Sequence, residues 1–340
     1  MYKIIQHRKI WITLSSVAVV LSIVFLAMWG LNFGIDFTGG SLLEVKFKGE
    51  RPQVNEIQDI LSEVELSSLV VQPIGEEEVI LRFQEISEET HQAVLKKLQE
   101  ISKVEGKDLS MQAGSLGGID GERGEETNPV IEDEEFEDIE VETDKNMENT
   151  VEELRFDSVG PSIGQELKQK SFYAMITVLV AIVLYIAWAF RKVSKPVASW
   201  KYGLTAIIAL FHDVMIVLGV FALLGEFFNI EINSAFVAAI LTVLGYSVND
   251  TIVVFDRIRE NLPRSDEDFE GTVNISVNQT IRRSINTSLT TLFVLVSILI
   301  FGGSTIRDFV LALSIGVLIG TYSSIFLASP VLVVWERFKK

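Results

Sequence analysis

The 340 residues contain no cysteine. Disulfides and thiolate metal sites are therefore excluded, and the redox compartment stays open. No metal-ligand cluster, nucleophile elbow or nucleotide-binding loop appears, so an enzyme is the least expected class, with no catalytic residue, metal or cofactor assigned. Basic residues are in deficit, 29 against 46 acidic, for a net charge of −17. Nothing resembles a basic nucleic-acid surface. The deficit is local, however. Between Asp120 and Glu153 sixteen acidic and two basic residues sum to −14, and the rest of the chain is close to neutral. Apolar residues, by contrast, are abundant: 48% of the chain, with a mean hydropathy of +0.34. They are clustered in long runs, which points to an integral protein of the lipid bilayer.

Lys3, Arg8 and Lys9 precede an apolar run at 10–29, long enough to span. A cleaved signal peptide would have a shorter core ending in small residues, whereas this run ends Phe25-Leu26-Ala27-Met28-Trp29, so an uncleaved anchor is expected. Further spans are predicted near 172–190, 203–224, 232–255, 285–301 and 309–335, giving six. Arg191, Lys192, Lys195 and Lys201, then Arg257, Arg259, Arg264, Arg282 and Arg283, then Arg337, Lys339 and Lys340 mark one side of the membrane. By the positive-inside rule that side is cytoplasmic, both termini lie there, and the segment between spans one and two is outside. The expected division is 1–30 as tail and first span, 31–170 as an extracytoplasmic domain, and 171–340 as the remaining bundle with a short tail.

Within the outer segment Leu43, Val45 and Phe47 alternate as in a strand, and Val54, Ile57, Leu61 and Val64 follow helical spacing. Two more strands are expected at 68–74 and 79–83. A second helix starts near Ser87 with Val94, Leu98 and Ile101 on its apolar face, and a last strand falls at 154–159. The order βαββαβ suggests a ferredoxin-like sandwich. A glycine-rich and then acidic stretch, about 110–150, has too few apolar residues to offset the entropy of ordering and is expected to be a disordered insertion. A site for a cation or a basic partner is the alternative.

Polar groups inside the spans carry the functional argument. Asp250, beside Asn249, is still among apolar residues at the end of the fourth span. A carboxylate there costs at least about 2.5 kcal/mol on insertion scales, and so needs a partner, a wet cavity or a proton. Thr242, Tyr246, Asn249 and Asp250 share one helix face, expected to point at neighbouring helices. His212 and Asp213 lie well inside the third span, where a proton relay competes with a structural helix–helix hydrogen bond. His7 and His91 read as surface residues. Asp256, Arg257, Arg259 and Glu260 read as a solvated helix end.

Asn32-Phe33-Gly34-Ile35-Asp36-Phe37-Thr38-Gly39-Gly40 opens the outer segment. Its glycines permit tight turns, but the Gly-Lys-Ser/Thr ending of a phosphate loop is missing. Asp36 is expected to serve turn geometry or the joint with the first span. With Tyr246-Ser247-Val248-Asn249-Asp250, Asp256-Arg257-Ile258-Arg259-Glu260-Asn261 and Phe301-Gly302-Gly303, in this order and spacing, the set closely resembles the SecF family of the resistance-nodulation-division superfamily. The acidic insertion departs from that pattern. The resemblance implies a membrane all-α six-helix bundle, half of a transporter of that superfamily, with an extracytoplasmic α+β ferredoxin-like domain between helices one and two. It also implies pairing with SecD, work beside the SecYEG channel with YajC, contact with an unfolded exported polypeptide, and use of the proton or sodium gradient at the bacterial cytoplasmic membrane.

The family's ionisable membrane pair falls on Asp250 and Arg283 by this resemblance. Asp250 precedes Asp256 by six residues, and Arg283 starts the apolar part of the fifth span, so the two are expected to meet. Arg283, Thr287, Thr290 and Thr291 would form the facing polar stripe. In this reading Asp250 alternates between a charged form held by Arg283 and a protonated form that releases it; a static ion pair is the competing reading. One charge crossing about 100 mV is worth about 2.3 kcal/mol. A near-complete two-state switch needs about 5.5 kcal/mol, so more than one proton per cycle, or a pH difference, is expected. A half-subunit of a proton-driven exporter of small molecules or lipids, and a passive membrane scaffold, are the rival functions.

Overall fold

The structure is a computed structural model and describes residues 2–49, 51–64, 66–114, 151–189 and 198–337. The acidic insertion beyond residue 114, and Arg191, Lys192, Lys195, Lys339 and Lys340, lie outside the described residues. Contacts divide the chain into two units: residues 1–38 with 161–340, and residues 39–160.

The first unit is a helical bundle. It comprises α1 (Arg8–Met28) and the short α2 (Ile35–Thr38), then, after the second unit, α5 (Pro161–Ala189), α6 (Ser199–Phe228), α7 (Ser234–Asn261), α8 (Phe269–Phe301) and α9 (Ser304–Ser323). A π-helical turn, Ser324–Ala328, joins α9 to α10 (Ser329–Arg337). Among the described residues six segments are long and apolar enough to cross a membrane, α9 to α10 counting as one. The chain is thus a multi-pass membrane protein. Helix α5 starts at Pro161, about ten residues before the apolar run expected near 172, and α8 starts at Phe269, well before 285. Hydropathy marks where a helix enters lipid; capping marks where it begins. Pro161 suits a first helical position, and Asp268 caps α8 by accepting from the Gly271 amide at 2.8 Å.

Small residues bring the bundle's helices together. A methyl on Gly219 of α6 would lie 2.4 Å from Ser22 Cβ of α1. On α9, a methyl on Gly316 would meet Val243 Cγ2 at 2.1 Å, and one on Gly320 would meet Ser247 Cβ at 2.9 Å, both on α7. Such contacts hold membrane helices by close packing where no hydrophobic drive exists between them.

The second unit is an α+β sandwich of β1 (Gly40–Phe47), α3 (Val54–Leu61), β2 (Val70–Ile74), β3 (Glu78–Phe83), α4 (Glu88–Gly114) and β4 (Val151–Val159). The strand order is β2-β3-β1-β4 with every pair antiparallel, the ferredoxin-like topology. Leu43, Val45 and Phe47 of β1 face Val79, Leu81 and Phe83 of β3 and the helical residues Ile57, Leu61, Val94 and Leu98 in one core. This alternation puts each strand's apolar set on one face.

His91 is not the surface residue expected. It is 4% exposed, with its ring stacked on Phe156 of β4 at 3.8 Å. His91 precedes Val94 by three residues and Leu98 by seven, which places it on the buried face of α4.

Candidate functional site

Two carboxylates sit inside the bundle, and serines hold both. Asp213 of α6 is wholly buried. Its Oδ2 accepts from Ser247 Oγ of α7 at 2.5 Å and from Ser323 Oγ of α9 at 2.8 Å. Its Oδ1 lies 2.9 Å from His212 Nδ1. A charged Asp213 makes that nitrogen the donor. His212 is 3% exposed and its Nε2 has no hydrogen-bond partner among the described residues.

Asp250 of α7 is half-buried. Its Oδ1 accepts from Ser284 Oγ of α8 at 2.5 Å and its Oδ2 from Ser324 Oγ. Consecutive residues on a helix point about 100° apart. Ser323 and Ser324 therefore reach two different carboxylates from one place. That place is where α9 gives way to the π-helical turn, a distortion that recurs at functional sites. Each serine also has a backbone alternative: Ser323 Oγ lies 3.1 Å from Gly320 O, and Ser324 Oγ 3.0 Å from Thr321 O. One hydroxyl proton cannot serve both acceptors fully.

The structure does not bring Arg283 to Asp250. Arg283 is exposed and makes no ion pair among the described residues; Asn249 and Thr242 are exposed too. The expected facing stripe of Arg283, Thr287, Thr290 and Thr291 makes no hydrogen bond or ion pair to α7 among the described residues. Its three threonines donate to carbonyls of their own helix. The seam forms one residue further round α8, on Ser284 and Ser288. Tyr246 Oη donates to Ser288 Oγ at 3.0 Å, and Ser288 Oγ lies 2.5 Å from Thr321 Oγ1 of α9. Both sets on α8 satisfy i, i+4 spacing, so spacing alone could not choose between them. The serines were legible only as small helix residues, and nothing in the sequence joined 323 and 324 to 213 and 250.

The glycine-rich segment after α1 engages the start of α7. Gly34 N donates to Ile232 O at 2.9 Å, and Ile232 N to Asn32 O at 2.7 Å. A methyl on Gly34 would lie 3.1 Å from Glu231 Oε2 and 3.4 Å from Ile232 O, a tight fit that the Glu231 side chain would have to relieve. Asp36 Oδ2 accepts from the Ser234 amide at 2.7 Å and from Ser234 Oγ. A carboxylate at the first turn of α7 meets the positive end of the helix dipole. Gly39 and Gly40, at φ +77° and +125°, then turn the chain into β1.

A six-span bundle with carboxylates held by hydroxyls in its interior, and a ferredoxin-like domain inserted after the first span, defines half of a transporter of the resistance-nodulation-division type. Residues 139–338 match the family described as protein export membrane protein SecD/SecF, C-terminal, and residues 24–50 match the SecD/SecF GG motif. The chain belongs to the SecD/SecF family of protein export membrane proteins. A protein translocase subunit SecF from Thermobaculum terrenum is 40% identical over 99% of this chain and 95% of the relative. Another, from Desulfurispirillum indicum, is 37% identical over 97% and 90%. The crystal structure of SecDF, a translocon-associated membrane protein from Thermus thermophilus, superposes with a TM-score of 0.73 at 28% identity. That match covers 99% of this chain and 39% of the SecDF chain.

Proposed function

We propose that the chain is the SecF-type subunit of a SecDF-like machine: it pairs with a SecD partner beside the SecYEG channel, with YajC, and uses the proton gradient (or sodium) to help draw an unfolded polypeptide across the bacterial cytoplasmic membrane. The positive loops put the α6 start and the α7–α8 loop on the cytoplasmic side and the α+β domain outside. The observation that carries the coupling is that adjacent serines at the π-helical turn each hold one of two interior carboxylates.

A hydroxyl suits a proton-loading site better than a fixed cation does. It is one donor and two acceptors, so the same geometry serves a carboxylate, to which it donates, and a carboxylic acid, from which it accepts. When Asp250 is charged, Ser324 gives its proton to Oδ2. When Asp250 takes up a proton, Ser324 accepts from it and turns its own proton to Thr321 O. Ser323 has the same choice between Asp213 and Gly320 O. Each step changes what the end of α9 is tied to, and α9 packs along α7. The outer end of α7 is held by Asp36, three residues before Gly39, so a tilt of α7 reaches the chain entering the α+β domain. Two loading groups come closer to the energy requirement than one does, about 4.6 kcal/mol at 100 mV, and a pH difference supplies the remainder. One charge supplies about 2.3 kcal/mol per 100 mV, against about 5.5 kcal/mol for a near-complete switch.

Thr242 and Asn249 share one exposed side of α7, and Arg283 is exposed on α8. We assign that side to the SecD partner, where Arg283 acts on Asp250 from the rim rather than as its direct ligand. The test is proton flux coupled to export in reconstituted vesicles, with Asp250→Asn and Asp213→Asn. Loss of flux in either supports the reading. Normal flux and normal export assistance in both would leave a passive scaffold.

A further inference from the structure

A cavity of 540 Å³ lies between the start of α1 and the end of α10, lined by Arg8, Lys9, Ile12, Thr13, Val334 and Arg337. We propose that it binds the headgroup of an anionic glycerophospholipid, such as a phosphatidylglycerol, with an acyl chain running along its apolar wall.

Charge is the first argument. The first turn of α1 carries no acidic residue, and its N-cap, His7, makes no side-chain cap. It carries Arg8 and Lys9 instead. Cations at a helix N-terminus are on the unfavourable end of the dipole. An anion at this position offsets that. The protein's own carboxylates do not suffice. Glu270, at the first turn of α8, accepts from Arg8 Nη1 at 2.6 Å and pairs with Arg337 as well. Glu336 is taken by Lys201 at 2.5 Å. Lys9 is exposed and has no ion pair among the described residues. Three cations against the one carboxylate of Glu270 leave a local charge of +2.

Layering is the second argument. Ile12 lies one turn beyond Arg8 along α1, and Val334 one turn before Arg337 along α10, so the cations share one level and the apolar side chains lie deeper in the bundle. A phosphodiester with two acyl chains has that same order of charge and hydrocarbon. Free phosphate has no use for the apolar wall. Arginine and lysine together are the usual ligands of such a phosphate.

The test is native mass spectrometry of the full chain, delipidated and titrated with phosphatidylglycerol or with phosphatidylcholine of the same acyl chains. The expected result is preferential retention of phosphatidylglycerol. That retention should weaken about fivefold in Lys9→Gln and about thirtyfold in Lys9→Glu, from the usual contribution of one basic residue near an anionic lipid. Phosphatidylcholine retention and the thermal midpoint should not move. Arg337→Gln gives an independent loss should either Lys9 variant express poorly. Equal retention of the two lipids, or unchanged phosphatidylglycerol retention in Lys9→Glu, would overturn the proposal. Displacement of the lipid by inorganic phosphate at equal concentration would overturn it in favour of a free-anion site.

Discussion

Gly316 sets how near α9 comes to α7, and through that contact the reach of Ser323 and Ser324. An alanine there would put its methyl 2.1 Å from Val243 Cγ2, 2.7 Å from Cγ1 and 3.0 Å from Cβ. Carbons in contact rest at about 3.5–4.0 Å, so the helices must part by about 1.5 Å. Overpacking of this kind costs about 1–3 kcal/mol. Ser324, at the end of α9, holds Asp250 of α7 by a direct hydrogen bond, so a separation of that size takes the pair beyond hydrogen-bond reach. Val243→Ala alone removes two buried methyls and should cost about 2 kcal/mol. In the Gly316→Ala background the same change leaves only Val243 Cβ in the way and should stabilise. The sign reversal is the signature. Thermal unfolding of the four proteins in one detergent measures it, with Gly316→Ala lowering the midpoint by at least about 2 °C. Export assistance should fall and recover with the midpoint. If Gly316→Ala is as stable as the parent, or Val243→Ala destabilises both backgrounds equally, the close packing of α7 on α9 is not what holds the serines in place.

Asp36→Ala should cost about 1 kcal/mol by taking a carboxylate from the first-turn Ser234 amide of α7, whose N-cap Asn233 stays in place, and should speed hydrogen exchange at the Ser234 amide; an equally protected amide would deny the joint. In the α+β domain, hydrogen bonds from Gln92 and then from His91 hold the Glu88 carboxyl below its ordinary range. A lowered value means that its contribution is complete above the unfolded-chain value, about 4.3, and is lost as pH falls through the folded one. Protection of the first turn of α4, corrected for intrinsic exchange, should therefore decline on acidification in the parent and stay flatter in Glu88→Gln. Equal declines would assign the loss to other groups.

Chain order and periodicity made most of the architecture legible. Long apolar runs must cross lipid as helices, because an unpaired backbone cannot stay there, and this determines the six spans. The alternation in β1 and β3, with helical spacing between strands, is enough for the sandwich, since each element has one apolar face to bury. Asp250 and Asp213 stand out because a carboxylate among apolar residues needs a reason. What holds them is a different kind of fact. A hydroxyl has too little charge or bulk to mark itself in a sequence, and serine is common in helices for other reasons. Whether Ser284 or Arg283 faces α7 is a rotation of about 100° about the axis of α8. That rotation is decided by how α8 packs on α7 and α9, together with the π-helical turn that aims Ser323 and Ser324 apart. His91 makes the same point in the other unit: its spacing to Val94 and Leu98 allowed burial, but only the position of Phe156 across the sandwich made a place for the ring. Spacing limits which residues can share a face; contact between elements far apart in the chain chooses among them.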